Sequence, residues 1–195
     1  MMRWLYAAGL ALAVLMIAPV GATPGFDALL EESGLRLGTD PDLVEVGIQT
    51  DSPIPYEYAL RHASGALEMR FIVRPLDRIE IEYEDPHNAA PEPNHLFPLL
   101  FESLTNTLAE GAGAPSSEFS EAESQQHFNA DWAAIAVFDV DPGISGGYSN
   151  ALLLALHKND LADAYTLFLY RDYAEAKPLI NRSLALLQFD SVASP

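Results

Sequence analysis

The stretch Ala151–Tyr170, ALLLALHKNDLADAYTLFLY, decides the fold. Leu152–Leu156 and Ala164–Leu169 are apolar on both alternating faces, and His157-Lys158-Asn159-Asp160 between them has the polar character of a turn. Strands apolar on both sides belong inside a sheet that is covered on each face. Trp132–Phe138 reads the same way, with Trp132, Ala134, Ala136 and Phe138 on one face and Ala133, Ile135 and Val137 on the other. A helix over roughly Ala174–Gln188 follows, with Ile180, Leu184 and Leu187 as its inward stripe. Asp172 is placed to cap its start, and Pro178 implies a later start or a kink.

Toward the N-terminus the pattern becomes strict alternation. Tyr56, Tyr58 and Leu60 share one face; Leu67, Met69, Phe71 and Val73 alternate with Glu68, Arg70, Ile72 and Arg74; Ile79, Ile81 and Tyr83 alternate with Arg78, Glu80 and Glu82. This period of two marks half-buried antiparallel strands, and Ser64-Gly65 suits a hairpin turn, so a three-stranded meander is predicted. Asp85–Pro93 reads as a loop, and Asn94 is expected to cap a helix striped by Phe97, Leu100, Phe101, Leu104 and Leu108 and ended by Gly111. Gly113–Gln126 is a polar excursion with room for one short helix, and Leu43–Gln49 offers one more strand. Runs of strands with isolated helices predict an α+β fold, a central and mainly antiparallel sheet of about six strands flanked by helices. The expected organisation is a signal peptide at 1–22, an irregular lead-in at 23–42, a single domain at 43–190 and a tail at 191–195.

The chain has 195 residues, with 10 Lys plus Arg against 28 Asp plus Glu, a formal charge of -18. Hydrophobic residues make up 49%, too many for a disordered acidic tail. The acidic balance argues against nucleic acid as a partner, since that binding relies on cations that neutralise phosphates. With no cysteine, disulfides, thiolate zinc sites, a Cys nucleophile and a lipid-modified N-terminal Cys are excluded. Arg3 precedes an apolar run from Leu5 to Val20, and Val20-Gly21-Ala22 closes it with a small residue. That is the pattern of a secretory signal peptide, and the run is short of the ~20 residues that span a bilayer. Cleavage near Ala22, a periplasmic or secreted location and no stable membrane insertion afterwards are expected.

ALLLALHKNDLADAYTLFLY, followed by AKPLINRSLALLQF at 176–189, resembles the closing hairpin, C-terminal helix and final short strand of PsbP-like domains. That superfamily also includes the bacterial envelope lipoprotein DcrB. The resemblance covers roughly Leu43–Phe189 and implies a central antiparallel sheet flanked by helices. It also implies a non-enzymatic accessory or assembly role. It carries over no binding residues, and the missing lipid-modified Cys departs from DcrB.

The search for chemistry yields three candidate sets. Gly143-Ile144-Ser145-Gly146-Gly147 fits the G-x-S-x-G nucleophile elbow, which makes Ser145 a catalytic candidate. An elbow needs its acid and then its His further along, but the last histidine is His157, ahead of Asp160, Asp163 and Asp172. The motif therefore reads first as a Gly-rich turn. Asp139-Val140-Asp141 opens like an EF-hand loop, but Ile144 stands where Gly is required and Asn150 where Glu is required. His87 and His95 flank the Asp85–Pro93 loop and are the metal-ligand candidates, imidazole and carboxylate suiting zinc or manganese. Polar loops also hold His for capping and solubility, and no cofactor is expected. Arg70, Arg74 and Arg78 should share the outward face of the meander, where they would take an acidic partner; cross-strand pairing with Glu57, Glu68, Glu80 and Glu82 is the simpler account.

The leading reading is an exported, soluble accessory or binding domain of the bacterial envelope without catalysis, its partner an envelope protein and its oligomeric state open. The alternatives are a small hydrolase using Ser145 or a metal near His87 and His95, and a small-ligand carrier with a pocket between the meander and a helix.

Overall fold

A computed structural model describes residues 25–50, 52–79, 92–109 and 113–191. Seven strands form one fully antiparallel sheet: β2 (Leu43–Glu45), β3 (Tyr58–His62), β4 (Leu67–Pro75), β5 (Ser116–Glu118), β6 (Trp132–Asp139), β7 (Asn150–Lys158) and β8 (Ala162–Tyr170). Their order across the sheet is β2-β3-β4-β8-β7-β6-β5. The stretch that decides the fold supplies β7 and β8, which pair from Asn150↔Tyr170 to Lys158↔Ala162 around a turn centred on Asp160. β8 lies between β4 and β7, and all nine of its residues are buried. Apolarity on both faces thus becomes the central strand.

Each face has its own core. On one face Leu67, Met69, Phe71, Leu154, Phe168 and Phe128 pack together. Helices α1 (Phe26–Glu32), α3 (Glu121–Phe128) and α5 (Tyr173–Ser183) supply side chains to this layer. A two-stranded ribbon of β1 (Leu35–Leu37) and β9 (Leu187–Phe189) completes it. On the other face Ile72, Ala134, Leu153, Tyr165 and Leu167 pack under Phe101 and Leu108 of α2 (Phe97–Leu108) and under Tyr56. A one-turn helix α4 (Pro142–Ser145) joins β6 to β7 on that side.

Several sequence expectations are corrected. The lead-in read as irregular carries α1 and β1, because Leu29, Leu30 and Leu35 are apolar anchors for the sheet's face. The described strands of the meander are β2, β3 and β4, with β2 beside β3. β3 and β8 occupy both edges of β4, and the chain leaves it through a 3-10 turn at Leu76–Arg78. Residues 80–83 lie outside the described set. Asn94 caps no helix; its amide exchanges two hydrogen bonds with Asp160, at 2.7 and 2.8 Å, and α2 begins at Phe97. Gly111 is outside the described residues. The closing helix stops at Ser183 rather than Gln188, since Leu187 and Phe189 pair with β1 instead. Its start is as read: Asp172 accepts from the Ala174 and Glu175 amides, with Pro178 inside the helix.

α3 shows how much local chemistry the polar excursion holds. The Ser120 hydroxyl accepts from the Glu123 amide while the Glu123 carboxylate accepts from the Ser120 amide, a reciprocal capping box. The hydrogen bond from Ser120 lowers the Glu123 carboxyl below its ordinary range. Ser120→Ala should cost about 1 kcal/mol, read as a fall in urea midpoint with an unchanged slope.

Candidate functional site

The side chains that could do chemistry gather at the two ends of the face under α2. At one end a row runs directly across three strands: Trp132 on β6, His157 on β7 and Asp163 on β8 are register partners. His157 Nδ1 donates to Asp163 Oδ1 at 2.7 Å, with both side chains 1% exposed. His157 Nε2 lies 3.2 Å from the Asn159 amide oxygen, and the Phe97 ring stacks on the imidazole with centroids 4.1 Å apart. Burial pushes the Asp163 carboxyl above its ordinary range, offset in part by His157. Burial also raises the Tyr165 hydroxyl well above its usual value, and the charge of Asp163 adds to this. Asp163 Oδ2 and the Tyr165 hydroxyl have no hydrogen-bond partner among the described residues. This group is sealed beneath Phe97. Its signal in the sequence was symmetry, since His157 and Asp163 are equidistant from Asp160, the centre of the hairpin turn.

At the other end stands a cluster of arginines. Glu68, buried on β4, accepts from Arg70 Nε at 2.9 Å and from Arg61 on β3 at 2.6 and 3.0 Å. Arg70 Nη2 also donates to the Gln49 side chain at 2.7 Å and to the Ser145 carbonyl at 2.8 Å. The Tyr56 ring centroid lies 5.0 Å from the Arg70 guanidinium carbon. Tyr148, just ahead of β7, faces Arg61 with its hydroxyl and carries the Arg171 guanidinium 4.5 Å from its ring centroid. Burial raises the Tyr148 hydroxyl above its ordinary value, with the Glu68 charge acting in the same sense.

Three arginines were expected on one exposed surface, and the structure separates them. Arg70 is 3% exposed, because the face read as outward is the one beneath α2 and the 46–56 loop. Arg74 is held by Glu57 at 2.7 Å, and Arg78, beyond the end of β4, pairs with Glu32 of α1. The cross-strand account holds for Arg74 with Glu57, which lies alongside β4 just ahead of β3, and for Arg61 with its register partner Glu68.

Ser145 ends α4, is 2% exposed, and donates its hydroxyl to the Tyr148 carbonyl. The glycines that made the motif serve the turn. Gly146 sits at φ +80 with Gln49 Nε2 only 2.8 Å from where a Cβ would be, and Gly147 sits at φ +95 with Arg171 Nη2 at 3.2 Å. Only glycine takes both conformations without strain and lets those two side chains approach. Asp141, half of the EF-hand echo, caps α4 by accepting from the Gly143 amide. His95 is exposed in a 3-10 turn (Pro93–His95), and His87 lies outside the described residues. Among the described residues no three His, Asp or Glu are grouped to hold a metal ion.

Between the sheet and α2 the enclosed space is about 10 Å³, lined by Tyr56, Arg70, Ile72, Leu108 and Leu167. That is room for about one water molecule. An open cleft of about 290 Å³ lies by Ala109, Pro115, Val137, Asp139 and Asn150, bordering residues outside the described set. No helix of the described residues is long and apolar enough to cross a membrane.

The architecture is thus α+β, an antiparallel sheet with helices on both faces. No family model and no curated protein matches the sequence. Among solved structures the chain is similar to the solution structure of cyanobacterial PsbP (CyanoP) from Synechocystis sp. PCC 6803. The match covers 81% of this chain and 88% of that one, at 11% identity and a TM-score of 0.42. It is a likeness of fold alone.

Proposed function

We propose that the protein is an exported accessory or binding domain of the bacterial envelope that performs no catalysis. The observation that supports this is how the polar groups suggestive of chemistry are used. The Ser145 hydroxyl is bonded to the Tyr148 carbonyl and Arg70 to three partners, while His157 and Asp163 hold each other under Phe97. Each is a strut of the fold. A nucleophile needs a base within hydrogen-bond reach and an open approach, and a buried hydroxyl bonded to a carbonyl has neither. The signal-peptide pattern at 1–22 supports export, and the resemblance of Ala151–Phe189 supports an accessory role.

Two measurements decide the reading. Wild type and Ser145→Ala, assayed against ester, phosphoester and peptide substrates, should both run at the uncatalysed rate; hydrolysis that disappears in Ser145→Ala overturns the non-catalytic reading. The protein, cross-linked in an envelope fraction of its own cell, should carry one partner in stoichiometric amount. A blank there removes the accessory role.

A further inference from the structure

Arg171 follows directly on the end of β8. Arg36, Arg61, Arg70, Arg74, Arg78 and Arg182 each have a carboxylate within 4.0 Å. Arg171 has none among the described residues, although it is exposed in a chain of charge -18. It is also fixed in place. Its Nε donates to the Gly147 carbonyl at 2.7 Å, its Nη2 lies against Gly147, and its guanidinium carbon lies 4.5 Å from the Tyr148 ring centroid. Arg61 reaches the same tyrosine with its side chain 45% exposed, and it shares the single carboxylate of Glu68 with Arg70. Among the described residues Arg61 and Arg70 thus share one carboxylate within 4.0 Å, and Arg171 has none. The acids next in sequence are Asp172, spent on the first amides of α5, and Glu175 in the first turn of that helix. Tyr173, 55% exposed, opens α5 beside them, with Lys177 Nζ 5.9 Å from its ring centroid.

We infer that Arg171 and Arg61, presented on Tyr148, dock a carboxylate-bearing segment of a partner protein; this rests on the binding-domain reading and names its contact. A guanidinium held by a carbonyl and an aromatic ring loses little freedom when a carboxylate pairs with it. The space lined by Tyr56, Arg70 and Ser145 is about 10 Å³, room for about one water molecule. The remaining negative charge gives direction. At physiological ionic strength charges beyond about 8 Å are screened, so an acidic segment is attracted here and repelled by the acidic surface at close range elsewhere.

The test uses the full chain and a fluorescein-labelled peptide of eight glutamates, followed by fluorescence anisotropy at physiological salt. Wild type should bind saturably. Arg171→Gln should weaken binding about fivefold, as expected for loss of an exposed ion pair, and Arg61→Gln should weaken it as well. Arg182→Gln, which removes an exposed arginine elsewhere, should leave it unchanged, and Arg171→Gln and Arg182→Gln should keep the wild-type melting temperature within a few degrees. No saturable binding, an Arg171→Gln affinity equal to wild type, or an equal loss in Arg182→Gln overturns the proposal. Displacement of the peptide by inorganic phosphate at equal concentration also overturns it, because the site would then serve a small oxyanion. The probe is independent of the native partner, so failure here is distinct from an empty cross-linking experiment.

Discussion

Glu68→Leu should unfold the protein more readily than any other single polar substitution, with a loss of about 3–5 kcal/mol. Arg70 is 3% exposed, and among the described residues Glu68 is the carboxylate within 4.0 Å of it. Removing that carboxylate leaves a buried guanidinium with two neutral acceptors, Gln49 and the Ser145 carbonyl. Those bonds do not replace the lost counter-charge in a low-dielectric interior. With total stabilities of about 5–15 kcal/mol typical of domains, such a loss consumes a large share of the margin. The double variant Glu68→Leu/Arg70→Met should recover at least half of the loss, because a buried pair exchanged for apolar side chains of similar volume is often neutral. Urea unfolding of the two single variants and the double variant reads the coupling directly. Additive losses would mean that the two side chains act independently.

His157→Leu should cost about 3 kcal/mol at neutral pH, since it leaves the Asp163 carboxylate buried without its donor. Its pH dependence is the sharper test. Burial already raises the Asp163 carboxyl above its unfolded value, and His157 is the group that pulls it back. Between the unfolded and the folded value the folded state binds more protons, so this group's contribution to stability falls as pH rises through that window. Without His157 the folded value rises further and the window widens upward. The variant should therefore be closest to wild type near the ordinary carboxylate pKa and diverge from it as pH increases. Urea midpoints across the acid-to-neutral range check this. A constant gap would show that the loss comes from the Phe97 stack, 4.1 Å from the imidazole.

The site divides along the same line as these two experiments. His157 and Asp163 were named in the sequence only as a turn residue and a following acid, yet hairpin register alone places them opposite each other. Arg171 carried no signal, because nothing local tells an arginine after a strand that a tyrosine from the preceding loop will lie under it. Arg70 misled for a related reason. Alternation on β4 separates Leu67, Met69, Phe71 and Val73 from Glu68, Arg70, Ile72 and Arg74, and a polar face on that pattern reads as solvated.

The sequence by itself determined the strands of the last third, the hairpin of β7 and β8, the α+β class and the Asp172 cap. Each follows from side-chain period or from hydrogen bonds within a few residues. Tertiary structure alone decided that Arg70 is buried, since that depended on α2 and the 46–56 loop settling over one face of the sheet. It also decided that Leu35–Leu37 pairs with Leu187–Phe189, that β2 pairs with β3 and that β8 takes the other edge of β4. Those choices were made by segments competing for one sheet edge or one apolar face, and a period of two is silent on which of them prevails.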